Sequence, residues 1–525
     1  MKKLLIAVII LNSVNLAQTA QSIELPDFVI TGSKTVSIPD VQKNLPEYKA
    51  NYSKLQFDEI TANINFHNPK IPEPKLLLKN KDSISIVKKG NLSVGAGLYT
   101  QPIGRFFISS GFEHVRLNVN LMGINEKDYL KYSRYNKSNV DGALYFFISP
   151  KSYIFPGAKI TFKGNYSKEA YRLFGSSNPA QRRENDYSGT QISFSNFYSN
   201  YLNYGINFKT DQIKMKSDNL QHISMAIEPQ ISLKFNSFKV FANASINTNK
   251  IYSANSKYYS NQKIGGGIDL YFVRDLSLKL GVDYFDMDNS KFLKPYLESI
   301  FRMNNYFSIS GRFKPYVSCK SHNEYLESNK YFDANSINRV LENHLYYSEI
   351  SFLFEIQKLL QIQLGLHYDR VDSLAYFSAQ GNSKNFTVQT ISNVNTFGSN
   401  LNLTLTVGSL GDLYFEALWQ TFFNNQKIYV PYHPNFSLST FYRNKISEKF
   451  SFETKLKYVD EVYFSPNKRE KLPSSMDLGV KVEYYLSANL NLFVDIENVL
   501  NRKNYYLKYY QSKPMDIVFG VNYKW

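Results

Sequence analysis

Residues 222–235 have the sequence HISMAIEPQISLKF, in which an apolar or proline side chain recurs at every second position from Ile223 to Phe235. Because successive side chains of a strand point to opposite faces of its sheet, this pattern produces one apolar face and one mainly polar face. The stretch is longer than a typical strand of a soluble protein. It matches a tilted strand of roughly 9 to 11 residues that crosses a bilayer, so it predicts a transmembrane β-strand.

The same alternation recurs from Asn91 to the last residue, Trp525. Two clear examples are residues 276–284 and 360–369, in which leucines on one face oppose polar residues and glycine on the other. Hydrocarbon offers no partner for an unpaired backbone N–H or C=O, so a chain that crosses a bilayer with strands must close its sheet. The count of about 22 segments falls within the range of single-chain outer-membrane barrels.

The links between these segments tend to alternate between short and long. Links after even-numbered segments are short, as at Asn236-Ser237 and Ala488-Asn489, and the longest of them is 150–156. Links after odd-numbered segments are mostly long and polar, as at 168–187, 249–259, 320–343 and 502–514. Outer-membrane barrels have short periplasmic turns and longer extracellular loops. We therefore predict an all-β fold, a closed antiparallel up-and-down transmembrane β-barrel with an even number of strands, about 22, in the cell outer membrane.

Composition excludes a bundle of transmembrane helices, because 43% hydrophobic residues and a mean hydropathy of −0.35 do not supply several apolar runs of roughly 20 residues. The 41 Tyr and 39 Phe residues suit aromatic girdles at the membrane interfaces. Cys319 is the only cysteine, so no intramolecular disulfide forms. A net charge of +17 favours lipid phosphates or an anionic solute as partners, and no aromatic-basic motif indicates nucleic acid.

The first 90 residues differ from the rest of the chain. An apolar run at 4–11 after two lysines, followed by small residues, predicts a signal peptide over residues 1–20. Residues 21–90 then form an expected periplasmic arm, because five prolines interrupt the segment after Ser33, lysines at 79, 81, 88 and 89 add charge, and no sustained alternation occurs. A small folded plug is the alternative for this segment. The barrel itself is expected over residues 91–525.

The final segment carries aromatic and apolar side chains on one face, namely Phe519, Val521, Tyr523 and Trp525. A terminal aromatic residue on an alternating strand resembles the signal that outer-membrane barrels present to the barrel assembly machinery. We therefore expect these four residues to act in assembly rather than in solute binding.

Two further stretches resemble TonB-dependent receptors. An alternating segment at 490–497 is followed by Asn-Val-Leu-Asn at 498–501 and by Tyr505, as at the end of such a receptor barrel. Near the N-terminus, residues 25–32 (LPDFVITG) resemble the TonB box, which family members offer as an added strand to an energy-transducing periplasmic partner. The residues of this segment that match are Asp27, Phe28, Val29, Ile30 and Thr31.

The chain departs from that family between the TonB-box-like segment and the barrel. A complete receptor places a plug domain there, and fewer than sixty residues separate Gly32 from Asn91. A barrel of this size is wide, so we expect the arm or an infolded loop to block it. The longest candidate loop is 320–343.

Catalysis finds no support in the sequence, and we expect no enzyme activity, no metal site and no cofactor. The seven histidines are scattered, and His222 and His367 lie on polar faces where solvated lumenal side chains are expected. The glycine run Gly265-Gly266-Gly267 precedes a strand-like segment rather than a phosphate-binding helix, so it indicates a closely packed or flexible part of a strand.

The resemblance implies solute transport by a receptor-like barrel without a full plug. Two alternatives remain open at this point. One is a passive diffusion channel narrowed by an infolded loop, and the other is an outer-membrane scaffold whose arm recruits periplasmic proteins.

Overall fold

The computed structural model describes residues 88–525, apart from 113, 197–200, 254–255, 274, 288–289, 337–339, 357–358, 381–383, 425–427 and 468–469. Strands dominate this part of the chain. No helix within it is both long enough and apolar enough to span a membrane. The described chain has one α-helix, α1 (His322–Ser328), and 3-10 turns at Lys216–Asp218, Ala334–Ser336 and Gly408–Leu410.

The strands are numbered in chain order. They are β1 (Lys88–Gly97), β2 (Thr100–Phe112), β3 (Val115–Glu126), β4 (Tyr135–Phe147), β5 (Lys159–Arg172), β6 (Arg182–Asn196), β7 (Leu202–Met215), β8 (Leu220–Lys234), β9 (Phe238–Tyr252), β10 (Lys257–Val273), β11 (Leu276–Met287), β12 (Ser290–Arg302), β13 (Phe307–Phe313), β14 (Tyr316–Cys319), β15 (Leu341–Ile356), β16 (Leu360–Asp372), β17 (Leu374–Gln380), β18 (Asn385–Ile391), β19 (Val394–Val407), β20 (Gly411–Phe423), β21 (Phe436–Lys445), β22 (Phe450–Val459), β23 (Val462–Tyr463), β24 (Lys471–Leu472), β25 (Ser475–Tyr485), β26 (Leu490–Glu497), β27 (Tyr505–Leu507), β28 (Tyr510–Gln511) and β29 (Asp516–Lys524).

The main sheet closes into a barrel. Each barrel strand is antiparallel to the next along the chain, and β1 pairs with β29 from Asn91–Lys524 to Gly97–Val518. Strands β13 and β14 both pair with β15 and occupy one position in the wall. The barrel therefore has 22 strand positions, and the predicted fold and strand number are confirmed.

The links are sorted between the two ends of the barrel. Those at the end that holds Lys88 and Trp525 have two to five residues, except 148–158. The small hairpins β17–β18, β23–β24 and β27–β28 all lie in long links at the opposite end, which we call the outer mouth. The alternation of short and long links predicted this arrangement.

Three boundaries differ from the expectations. Strands β5 and β6 stay paired up to Arg172–Arg182, and β9 and β10 up to Ile251–Lys257, so the links expected at 168–187 and 249–259 are shorter. The polar residues of these stretches belong to paired strands. Their composition resembles that of a loop, so the sequence alone suggested longer links. In addition, β1 begins at Lys88, within the predicted arm, because Lys88 to Gly90 pair with Ser110 to Ile108.

The apolar face of the wall points outward. In β8, Met225 and Ile231 are 48% and 50% exposed, whereas His222 and Ala226, on the other face, are buried. A soluble protein has no reason to expose a band of such residues around a closed sheet. This outer surface matches the hydrocarbon of a bilayer, as in an outer-membrane β-barrel.

The glycine run lies in β10, where the wall is tightly packed. Gly267 pairs with Gly281 of β11, and a Cβ at Gly267 would overlap the Leu280 carbonyl oxygen and crowd the Phe241 ring. The expectation of a closely packed strand stretch is therefore confirmed at Gly267.

We predict that Gly267→Ala destabilises the barrel by about 1–3 kcal/mol, because an added methyl overpacks a backbone contact that cannot give way. The measurement is the temperature at which the folded, fast-migrating form disappears in detergent gels. Gly104→Ala in β2 is the control, since nothing lies within 4 Å of its Cβ position. Equal midpoints for the two variants would contradict this packing.

Candidate functional site

Three of the four residues of the expected assembly signal lie on the outer face of β29, and the fourth, Trp525, directly follows that strand. Phe519, Val521, Tyr523 and Trp525 are 62%, 41%, 45% and 40% exposed. Trp525 also completes the seam of the barrel, because its backbone N–H donates to the Gly90 oxygen at 3.1 Å and its oxygen accepts from the Gly90 N–H at 3.0 Å. Their action in assembly stays a prediction.

The TonB-box-like residues Asp27, Phe28, Val29, Ile30 and Thr31 lie outside the described residues, as does the rest of the arm up to residue 87. What the arm contributes to occlusion of the bore therefore also stays a prediction.

Three aromatic rings meet above the outer mouth. Tyr331 stacks on Tyr510 with ring centroids 3.6 Å apart, and Phe174 packs edge-on against Tyr510 at 5.0 Å and against Tyr331 at 5.8 Å. These three rings, Phe174, Tyr331 and Tyr510, are called the aromatic junction below.

The aromatic junction bridges the mouth. Phe174 lies in the link after the fifth strand position, Tyr331 after the thirteenth and Tyr510 after the twenty-first. The three links thus start eight, eight and six strand positions apart around the barrel of 22. Loops that start at three well-separated points of a rim can meet only over the opening between them. We call the loops that join in this way the lid.

The lid has its own apolar core, which makes it a packed layer rather than a set of separate loops. Phe332 and Phe386 are fully buried in it and come from the link after β14 and from β18. Their backbones also meet, since the Asp333 N–H donates to the Phe386 oxygen at 2.7 Å. Tyr432 packs on Phe386 at 5.9 Å from yet another link.

A buried arginine anchors the lid to the barrel rim. Arg183 of β6 is 2% exposed and forms a two-point ion pair with Asp218, at 2.9 Å and 3.0 Å. Its other terminal nitrogen donates to the backbone oxygens of Lys330 at 3.1 Å and Phe332 at 2.7 Å. One guanidinium thus neutralises a buried carboxylate and positions the chain on either side of Tyr331.

Helix α1 belongs to the lid and begins at a capping box, in which Ser321 and Glu324 satisfy each other's backbone N–H. Its first residue, His322, is 3% exposed and lies 5.1 Å from the ring of His222. Burial, together with the neighbouring His222, lowers the pKa of His322 to about 3. The expectation of a solvated His222 is wrong, because the lid covers it.

Beneath the lid, the lumenal wall of β3 to β7 has a concavity of about 440 Å³. Gly189 leaves room for it, because a Cβ at that position would meet the side-chain oxygens of Asn165 and Asp211. Asp141 and Asp211 share one row across the strands, and Lys163 and Lys209 share the adjacent row. Asp211 accepts from the Tyr187 hydroxyl at 2.8 Å, whereas neither lysine has a carboxylate partner among the described residues. The lysines are therefore available to a ligand.

No group of three or more His, Cys, Asp or Glu side chains that could hold a metal ion occurs in the described part of the chain. The rings of the aromatic junction were missed in the sequence because each lies in a different link. The only signal was their composition, with tyrosine and phenylalanine in links expected to be polar.

Comparison with known proteins gives a match in structure only. No family model matches the sequence, and a search of curated proteins found no match. A variant of the ferric enterobactin receptor PfeA from Pseudomonas aeruginosa is 9% identical, with a TM-score of 0.62 over 84% of this chain and 81% of that one. This chain has the fold of a receptor barrel.

Two further receptor structures show the same likeness. The ferric-catecholate import receptor Fiu from Escherichia coli K12 is 9% identical, with a TM-score of 0.63 over 84% of this chain and 82% of that one. The siderophore receptor PirA from Acinetobacter baumannii is 9% identical, with a TM-score of 0.64 over 84% and 81%. The resemblance to the barrel of TonB-dependent receptors is confirmed at the level of the fold.

We predict that Arg183→Met loosens the lid, because it leaves Asp218 buried without its counter-charge and two carbonyls without a donor. Breaking a buried pair in this way costs about 3–5 kcal/mol. Trypsin should then cleave the folded protein after Lys330 much faster than in the wild type. Arg182→Met is the matched control, since the Arg182 side chain is 59% exposed and its pair with Glu184 lies at the surface. Unchanged cleavage after Lys330 would show that Arg183 does not hold the lid.

We also predict that acid loosens α1. A folded pKa of about 3 for His322, below its ordinary 6.5, means that the packed state requires the neutral ring. The packed state of α1 therefore has its full stability above pH 6.5. It loses stability as the pH falls toward 3, and the loss at pH 4.5 is roughly 2–3 kcal/mol. A spin label at position 327, with Cys319→Ser, should become more mobile at pH 4.5 than at pH 7.5.

The variant His322→Gln removes the titrating ring and serves as the control for this experiment. Its label should show a much smaller change between the two pH values. A change of equal size in both proteins would assign the effect to another group.

Proposed function

We propose that this protein is a gated import barrel for an anionic solute, driven from the periplasm through its N-terminal segment. The single observation that supports gating is the aromatic junction, in which three links from around the rim meet over the mouth. A solute that enters the lumen from outside must displace this layer. A passive channel has no need of a packed cover, so the lid favours import over free diffusion.

The lid is suited to opening without loss of the barrel. Its rings come from links, and the wall below them keeps its own ladders of hydrogen bonds. Aromatic pairs contribute about 0.5–1.5 kcal/mol each beyond the area they bury. A ligand that supplies a comparable contact can therefore offset the separation of Tyr331 from Tyr510.

In this proposal, energy reaches the barrel through the segment at 27–31, which the periplasmic transducer binds. Val29, Ile30 and Thr31 favour an extended backbone, and an added strand gains its affinity from main-chain hydrogen bonds. We therefore propose a TonB-type transducer as the periplasmic partner. The barrel assembly machinery and outer-membrane lipid are the other proposed partners, and no enzymatic reaction forms part of the function.

The two lysines of the lumenal concavity, which have no carboxylate partner among the described residues, support an anionic solute. Lys163 and Lys209 lie two strands apart on the same row, so they can bind two acidic groups of one ligand roughly 10 Å apart. The receptors with the same fold are described as binding ferric enterobactin or as importing ferric catecholates. A ferric siderophore is therefore the first solute to test.

We predict that cells expressing the protein take up radiolabelled ferric enterobactin, and that Val29→Pro abolishes this uptake. Proline removes a backbone N–H from the strand that the transducer must pair with. Val36→Pro, further along the arm, is the control and should transport normally. A protonophore should stop uptake in both the wild type and the control.

Uptake that persists in Val29→Pro cells, or in the presence of the protonophore, would contradict energised import and favour passive diffusion. Absence of uptake in wild-type cells that display the folded barrel would rule out this solute.

A further inference from the structure

Two prolines interrupt the barrel wall at the same height. The ladder between β12 and β13 runs from Arg302–Ser308 to Leu297–Phe313. Continuing that register by two residues places Pro295 opposite Pro315, which with Lys314 separates β13 from β14. Proline has no backbone N–H to donate, so opposing prolines prevent the ladder from continuing.

Above these prolines the wall is split. Residues 290–296 of β12 stay paired with β11 up to Ser290–Met287, but no ladder joins them to β14 among the described strands. On its other side, β14 pairs with β15, as β13 does. The upper part of β12 is therefore a free edge in the half of the wall nearest the outer mouth, which an outer-membrane barrel otherwise avoids.

Side chains rather than backbone bonds close the split. Val317 of β14 is buried against Phe285 and Met287 of β11, with Phe292 of β12 packed on the same cluster. Lys294 of β12 also reaches past β14 and donates to the Asn343 amide oxygen of β15 at 2.7 Å. Apolar contacts of this kind can part without breaking a hydrogen-bonded sheet.

The lumenal wall at the split is cationic. Three carboxylates lie there with five cations. The carboxylates are Asp283, Glu298 and Glu349, the last of which is the cross-strand partner of Arg312, and the cations are Lys263, Lys279, Lys294, Arg312 and Lys314. Lys279 and Lys314 both lie over the ring of Tyr296, within 5.6 Å and 4.7 Å of its centroid. Lys294, the next inward residue, has no carboxylate partner among the described residues. The excess of positive charge suits an anionic group.

The outer side of the split faces lipid. Leu293 is 68% exposed and Leu297 39% exposed on the outer face of β12, continuous with the apolar band of the barrel. Apolar chains on one side and cations on the other are the two environments that an anionic amphiphile requires. We propose that the split between β12 and β14 is a lateral opening, through which the acyl chains of a phospholipid with net negative charge enter while its head group contacts Lys294 and the neighbouring cations.

Photolabelling in vesicles tests this proposal. The folded protein is reconstituted in phosphatidylethanolamine with phosphatidylglycerol that carries a diazirine in its acyl chain, and labelled residues are located by mass spectrometry. We expect label on Phe292 and Tyr316, which lie on the inward face of the split, besides the lipid-facing Leu293. Phosphatidylcholine with the same diazirine should label the two inward residues several-fold less.

The variant Pro295→Val/Pro315→Val is designed to continue the ladder across the split, because valine restores both N–H groups and favours strands. It should reduce the label on Phe292 and Tyr316 several-fold and slow amide exchange at residues 290–294. Pro229→Val is the control, since Pro229 is already paired with Ile206 in the ladder to β7 and the ladder to β9 resumes at Gln230. Its labelling should equal that of the wild type.

Absence of label on Phe292 and Tyr316 in the folded wild-type protein would overturn the proposal, whether or not the double variant folds. Equal labelling of the double variant and the wild type would also overturn it, as would equal labelling by the two lipids. The result is independent of siderophore uptake, so the gated import proposed above stands or fails separately.

Discussion

Backbone hydrogen bonding in hydrocarbon is the constraint on which the rest of this structure depends. A strand in a bilayer has no water to satisfy its N–H and C=O groups, so the sheet must close. Closure here joins β1 to β29, with the last pair of bonds between Gly90 and Trp525. The same constraint gives the opposed Pro295 and Pro315 their importance. Side chains must cover the gap that they leave in the ladder, and this gap is where we propose that a lipid enters.

Closure with 22 strand positions produces a lumen that inward-facing side chains cannot fill. The links at the outer mouth meet this need in the described structure. They form a lid with an apolar core, and Arg183 binds it to the rim through buried charge and two carbonyl contacts. Stability and gating are thus separated, since the ladders of the wall hold the barrel while side-chain contacts between links hold the lid.

The wall could be predicted from the sequence because its rules are local. Alternation in stretches such as 222–235 indicates a strand and its outward face, and the lengths of the links indicate which end they occupy. The lid could not be predicted, because Phe174 and Tyr510 belong to links far apart in the chain, and their meeting depends on the strand number. His222 illustrates this limit, since its polar strand face suggested solvent, whereas the lid buries it. Likewise, that Pro295 lies opposite Pro315 follows only from the pairing register of β12 with β13, which the sequence does not show.

The central claim is that the lid covers the outer mouth, and access to the lumen from outside tests it most directly. Asn165 lines the lumenal concavity, so a cysteine there, with Cys319→Ser, reports the entry of a bulky membrane-impermeant maleimide into intact cells. The account predicts slow labelling with the wild-type lid and with Tyr153→Ser, a change on an exposed link at the opposite end. It predicts much faster labelling when Tyr331→Ser and Tyr510→Ser remove the aromatic junction. Equally fast labelling in all three proteins would show that the mouth is open and would contradict the account.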